Sequence, residues 1–79
     1  MKYVYILASE NDPDRHYTGI TDNVSKRLEK HNSGAVKHTA KYRPWHLNTY
    51  IMFADEERAR AFEKYVKTGS GRAFAKKRL

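Results

Sequence analysis

The stretch His16-Tyr17-Thr18-Gly19-Ile20-Thr21-Asp22-Asn23-Val24-Ser25-Lys26-Arg27-Leu28 decides the fold. Its first half, His16 to Ile20, is a short run suited to a β-strand. Its second half opens a helix. Thr21 or Asp22 suits the junction as an N-cap, because a side-chain oxygen there accepts from an orphan N–H of the first turn. Beyond the junction Val24, Leu28 and His31 keep i, i+4, i+7 spacing and form one helical face. Ser33-Gly34 is a stop signal.

Upstream, Tyr3 to Ala8 is a strand rich in β-formers. Tyr3, Tyr5 and Leu7 point one way, and Val4, Ile6 and Ala8 the other. Both faces are apolar, which predicts a central strand. Ser9 to Arg15, with Asn11-Asp12-Pro13-Asp14 at its tip, reads as a turn that pairs the two strands as a hairpin. Tyr17 and Gly19 then share a face, and Gly19 leaves space beside a tyrosine ring. Downstream, Ala35 to Arg43 is a polar connection carrying Lys37, His38, Lys41 and Arg43, and Pro44 breaks the chain. Trp45 to Ala54 is a third strand, with Leu47, Ile51, Met52 and Phe53 as its apolar content.

Asp55 caps a second helix whose first turn, Glu56-Glu57, is acidic as the helix dipole prefers. Ala59, Phe62 and Val66 form its buried stripe. Thr68-Gly69-Ser70-Gly71 reads as an interruption, a helix cap and hinge, before a short basic helix or tail over Arg72 to Leu79. The prediction is an α/β (α+β) domain spanning residues 1–79. Its order is β-β-α-β-α-α, with a three-stranded, mainly antiparallel sheet and helices packed on it.

A chain of 79 residues allows one thin core. Its 13% aromatic content argues for a folded domain rather than a disordered one. The absence of cysteine excludes disulfides, thiolate catalysis, zinc ribbons and iron–sulfur clusters, and suggests a reducing, cytoplasmic setting. No apolar run approaches the roughly 18–20 residues of a membrane span. The short apolar start is followed by Glu10, Asp12 and Asp14 rather than by a small-residue cleavage site, so no signal peptide is expected. A net charge of +7 points to a polyanionic partner, most simply nucleic acid.

Several residues stand out as chemistry-bearing. Arg27 and His31 are i, i+4 neighbours: one offers planar donors for a phosphate, the other a proton-transfer group near neutral pH. A solvated surface pair has the same spacing. Glu63 lies in or beside the apolar stripe of the second helix, where a carboxylate needs a cation or a partner such as Arg60 or Lys67. Lys64 follows it, so no adjacent carboxylate shares a metal. Tyr5 and Tyr17 can converge from adjacent strands, or serve as amphipathic core residues. A tyrosine used as a base needs positive charge nearby. Gly69-Ser70-Gly71-Arg72 does not match a phosphate-binding loop, although Arg72 and Lys76 can still reach phosphates.

Tyr3-Val4-Tyr5, Tyr17-Thr18-Gly19, Arg27, His31 and Glu63, taken in that order, resemble the GIY-YIG nuclease superfamily. With Tyr42-Arg43-Pro44-Trp45 and Glu63-Lys64-Tyr65-Val66-Lys67, the whole chain is similar to its small stand-alone bacterial branch. Tyr3 stands where the family name has Gly. The resemblance implies a three-stranded antiparallel sheet and phosphodiester hydrolysis with one divalent metal, Mg²⁺ or Mn²⁺. Carried over by position, Tyr5 and Tyr17 would be the motif tyrosines, and Arg27 would hold the scissile phosphate. Glu63 would ligate the metal, and His31 matches a histidine that some members use. The absence of a second clustered carboxylate speaks for one metal rather than two.

The expected activity is therefore endonucleolytic cleavage of DNA, in structured, damaged or single-stranded form, within repair or recombination. Lys26, Lys37, Lys41, Arg43, Arg72 and Lys76 are the expected phosphate contacts. The extra nucleic-acid-binding domain of larger members is not expected, so selectivity would come from nucleic-acid structure or a protein partner. The alternative reading is a non-catalytic nucleic-acid-binding module on the same scaffold.

Overall fold

A strand that is apolar on both faces has to be covered twice, and the architecture follows from that need. The computed structural model describes residues 1–79. The elements are β1 (Lys2–Ser9), β2 (His16–Thr21), α1 (Val24–Ser33), α2 (Lys37–Ala40), β3 (Trp45–Phe53), α3 (Glu56–Val66) and α4 (Gly69–Arg78). The sheet runs β2-β1-β3, with both pairings antiparallel. β1 is the central strand, as its two apolar faces predict, and Val4 to Ser9 are all buried.

On one face Tyr5, Leu7 and Trp45 form the core, with Tyr17, Leu28, Tyr42 and Leu47 packed around them. Val4 and Ile6 alternate to the other face. There α3 supplies buried Ala59 and Val66, and Phe62 meets Phe53 with ring centroids 5.5 Å apart. The register between β1 and β3 shifts between Ile6 and Leu7: Ile6 pairs with Thr49 and Leu7 with Leu47, leaving Asn48 as an extra residue.

The helix signals hold with small displacements. Asn23, not Thr21 or Asp22, is the N-cap of α1, accepting from the Lys26 N–H at 3.0 Å. Thr21 instead braces the cap, its hydroxyl accepting from the Asn23 N–H. Gly34 ends α1 with φ 86°, a left-handed conformation that favours glycine. Asp55 caps α3 as expected, accepting from the Glu57 N–H at 2.9 Å.

The polar connection between residues 35 and 43 carries a short helix, α2, that no sequence signal marks. Gly69-Ser70-Gly71, expected as a helix C-cap and hinge, is instead the first turn of α4. Lys67 ends α3 in a right-handed conformation, Thr68 caps α4 by accepting from the Gly71 N–H, and α4 begins at Gly69. Gly71 is needed for closeness: a Cβ there would collide with the Tyr65 carbonyl and come within 2.6 Å of Val66 Cα.

Gly19 also acts through space. It sits opposite Tyr5 in the ladder, and the Tyr5 ring lies over it, so an added Cβ would meet the hydroxyl and come within 2.6 Å of Cζ. Gly19→Ala should therefore cost about 1–3 kcal/mol, the usual penalty for overpacking a fixed ring. The check is the urea midpoint at unchanged m-value; a shift worth under about 0.5 kcal/mol would show that the ring moves freely.

Candidate active site

The site is assembled around the Tyr5 hydroxyl. β1 carries the ring to the α1 side of the sheet, and the bare Gly19 lets it lie across β2. α1 presents Arg27 and His31 one turn apart on the edge that meets it. His31 Nε2 lies 3.0 Å from Tyr5 Oη, and Arg27 Nε–H donates to the same oxygen at 3.3 Å. His31 is fully buried, and its Nδ1 lies 2.9 Å from Thr39 Oγ1 on α2. The pair at i, i+4 is thus no solvated surface pair. Tyr17 completes the cluster, its ring centroid 4.8 Å from that of His31 and 6.3 Å from that of Tyr5. The His38 ring also packs against Tyr17, with centroids 5.5 Å apart.

The electrostatics divide these groups. Burial pushes the Tyr5 hydroxyl above its usual value, and the Arg27 hydrogen bond only partly opposes it. Positive charge does sit beside the tyrosine, as its use as a base requires, but burial outweighs it. At neutral pH Tyr5 therefore keeps its proton. Arg27 is held more firmly in its charged form, chiefly by its bond to Tyr5. His31 is pushed below 6.5, first by burial and then by the charges of Arg27, His38 and Lys30. A neutral imidazole beside a protonated phenol is an acceptor for the phenol's proton.

Glu63 lies on α3, half-buried at 17% side-chain exposure. It pairs with Lys67 one turn on, which is one of the two partners its spacing suggests. No ion pair joins it to Arg27. Its charge nevertheless contributes to holding the Tyr5 proton on, so Arg27 and Glu63 act on one hydroxyl from opposite signs. No cluster of three or more His, Cys, Asp or Glu side chains is present. Any divalent cation near Tyr5 would have to rely on Glu63, with water and substrate oxygens for the rest.

The basic residues fall into two groups. Lys26 is exposed beside Arg27 on α1, while Lys37, Lys41 and Arg43 are exposed on and just after α2. Arg43 is braced by its Nε–H donating to the Ala40 carbonyl at 2.7 Å, and Lys41 lies 5.3 Å from the Tyr42 ring centroid. Arg72 and Lys76 on α4 line a separate open groove of about 1150 Å³, together with Arg15, Tyr17 and Lys67. Tyr17 is the residue that belongs to both the groove and the Tyr5 cluster.

Two supporting residues, Thr39 and Asn32, carry no mark in the sequence, and both act through Trp45 or His31. Thr39 backs His31. Asn32 grips both backbone groups of Trp45, accepting from its N–H at 2.6 Å and donating to its carbonyl at 2.9 Å. The Trp45 indole N–H in turn donates to the Thr39 carbonyl at 2.9 Å. Asn32 and Thr39 carry no periodic signal; the only hint was Trp45 itself, a large ring directly after Pro44.

The fold and this constellation define a GIY-YIG nuclease domain, and the chain belongs to that family: the sequence model of the GIY-YIG catalytic domain matches residues 1–78. Among relatives, it is 37% identical over 68 residues to UPF0213 protein CPE1444 of Clostridium perfringens, covering 85% of this chain and 71% of that one. It is 38% identical over 69 residues to UPF0213 protein SH2523 of Staphylococcus haemolyticus, covering 86% and 82% respectively. Similarity at 31% identity also extends over 52 residues of the structure-specific endonuclease subunit SLX1 homolog of Giardia intestinalis. That match covers 62% of this chain but 14% of the longer protein. No helix of this chain is long and apolar enough to cross a membrane.

The depressed His31 has a consequence for stability. The folded state disfavours the imidazolium, so the unfolded chain binds the extra proton first as pH falls. The contribution of neutral His31 is fully present above about 6.5 and is lost as pH drops below it toward the lowered folded value. Urea midpoints should fall more between pH 7.5 and 5 for the wild type than for His31→Gln. Equal pH dependence in the two proteins would mean that His31 is not held neutral.

Proposed function

We propose that this chain is a metal-dependent endonuclease that hydrolyses phosphodiester bonds in DNA, in structured, damaged or single-stranded form. The observation that carries this reading is the convergence of Arg27 and His31 on the buried Tyr5 hydroxyl. Family membership supports hydrolysis of nucleic acid, and the structure-specific endonuclease among the relatives supports a shaped DNA substrate. A role in DNA repair or recombination goes with that substrate.

Each group then has a task. The terminal nitrogens of Arg27 bind the scissile phosphate, since only Nε is engaged with Tyr5. A water attacks phosphorus. Its proton passes to Tyr5 Oη while Tyr5 passes its own proton to His31 Nε2, so no free phenolate has to form in the buried site. The bond between phosphorus and one ester oxygen breaks, and that oxygen takes a proton from solvent. Tyr17, packed on both rings, fixes their orientation.

Glu63 holds the metal on this reading, exchanging Lys67 for the ion. A lone half-buried carboxylate with no preformed cage suits Mg²⁺ or Mn²⁺, since Mg²⁺ sites keep several waters and take one or two carboxylates plus phosphate oxygens. When bound, the ion supplies neutralisation of charge developing on the phosphate. Lys26, Lys37, Lys41, Arg43, Arg72 and Lys76 hold the nucleic-acid backbone, and this affinity falls with salt and carries no sequence information.

The test incubates the chain with plasmid and with branched and single-stranded oligonucleotides in Mg²⁺ or Mn²⁺, beside Arg27→Ala and Glu63→Ala. Cleavage should occur in the wild type and slow by at least about 100-fold in each variant. Cleavage that survives both substitutions overturns the assignment. Salt-dependent binding that persists in EDTA, with no cutting under any metal, would identify a binding module instead.

A further inference from the structure

α2 is only four residues long and contains none of the GIY-YIG motif residues, yet it places one of the most buried polar side chains in the molecule. Thr39 is 1% exposed and its hydroxyl has two polar neighbours, His31 Nδ1 at 2.9 Å and the Val36 carbonyl at 3.2 Å; His31 in turn links it to the Tyr5 hydroxyl. We propose that Thr39 is a positioning residue, whose hydroxyl accepts from His31 Nδ1–H and so holds the imidazole in the tautomer that aims its Nε2 lone pair at Tyr5. Its catalytic consequence rests on the nuclease reading above, but the tautomer itself does not.

The assignment follows from counting protons. A guanidinium has no lone pair to offer, so Arg27 can only donate to Tyr5 Oη. The buried Tyr5 hydroxyl must then place its own proton on His31 Nε2, the one other polar atom bonded to it. Nε2 is therefore the acceptor, and in a neutral imidazole the N–H is at Nδ1. That N–H needs an acceptor in a fully buried place, and Thr39 Oγ1 is the atom there. The Thr39 proton is free to go to the Val36 carbonyl, which can only accept. Each hydrogen bond in the chain Arg27, Tyr5, His31, Thr39, Val36 then runs in one direction, from donor to acceptor.

The opposite tautomer fails at the other end. With the proton on Nε2, Tyr5 Oη would accept from both Arg27 and His31, and the phenol proton would be buried without a partner. Thr39 is itself held in place. Its carbonyl accepts the Trp45 indole N–H, and Trp45 is gripped through its backbone by Asn32 on the same helix as His31. The hydroxyl is thus fixed relative to α1 by bonds that do not involve the imidazole. A hydroxyl in this role performs the orienting task that a carboxylate or backbone carbonyl more often performs for a functional histidine. Unlike a carboxylate, it adds no charge.

The test is ¹⁵N–¹H multiple-bond NMR of the imidazoles in the full chain at neutral pH, with His31 assigned by comparison with His31→Gln. Wild type should show a protonated Nδ1 and a bare Nε2. Thr39→Ser should keep that pattern, and Thr39→Val should move the proton to Nε2 in part or wholly. A wild-type spectrum with the proton on Nε2 overturns the proposal even if no variant folds, and so does an unchanged tautomer in Thr39→Val. Under single-turnover conditions, cleavage should slow about 10–100-fold in Thr39→Val and recover to within a few-fold in Thr39→Ser. A serine variant as slow as the valine variant, with the tautomer retained, would overturn the catalytic consequence. A wild type that cuts nothing would instead overturn the nuclease reading and leave the spectral result to stand or fall alone.

Discussion

A phenol buried among rings must hand its proton to something, and at Tyr5 that something is His31 Nε2, 3.0 Å away. Much of the molecule is arranged around this bond. Gly19 is bare so that the ring can reach across β2. α1 is capped by Asn23 and stopped by Gly34 so that a single turn sets Arg27 and His31 on either side of the hydroxyl. α2 backs the imidazole, Trp45 pins α2, and Asn32 pins Trp45. No buried side-chain nitrogen or oxygen is left without a partner. In a chain of 79 residues with 13 buried, that completeness matters more than in a larger domain, because one orphaned group costs about 1–3 kcal/mol against a thin core.

The parts that were legible in sequence are those where local chemistry and tertiary structure agree. The two-faced apolarity of Tyr3 to Ala8 marks a central strand, and β1 is one. The i, i+4, i+7 pattern of Val24, Leu28 and His31 marks a face, and that face meets the core. The stripe of Ala59, Phe62 and Val66 marks α3, with Glu63 at its border as expected. What was not legible depends on distant partners. Four residues do not sustain a helix by propensity, so α2 exists because Trp45 and His31 give its polar groups somewhere to go. Gly69 and Gly71 look like a break because glycine usually is one; only the packing of α4 against the end of α3 shows that Gly71 is small for closeness.

The balance of burial and charge at Tyr5 shapes the chemistry more than any single residue type. A guanidinium beside a tyrosine suggests a lowered hydroxyl, yet here burial wins and the proton stays on. The same burial keeps His31 neutral, so its Nε2 lone pair is available for the Tyr5 hydrogen bond. The two shifts are complementary, since each favours the uncharged form of its group. On the proposed reading, a relay through a neutral phenol and a neutral imidazole avoids a buried phenolate and leaves the charge on His31 as an imidazolium, whose burial penalty the attack on phosphorus must offset.

Glu63 poses the opposite problem. A half-buried carboxylate already neutralised by Lys67 has no need of another cation, and its pairing is the ordinary one for i, i+4 neighbours on a helix. The pair is asymmetric, however. Lys67 is 51% exposed at its side chain and its charge is readily carried by water, whereas Glu63 is 17% exposed and more dependent on a partner. On the proposed reading Glu63 would hold a hard divalent ion in place of Lys67, and Lys67 already lines the groove beside Arg72 and Lys76. The ion pair is then a resting arrangement: it satisfies the carboxylate while no substrate is present, and when it opens Lys67 keeps its place in the groove with its charge no longer neutralised by Glu63.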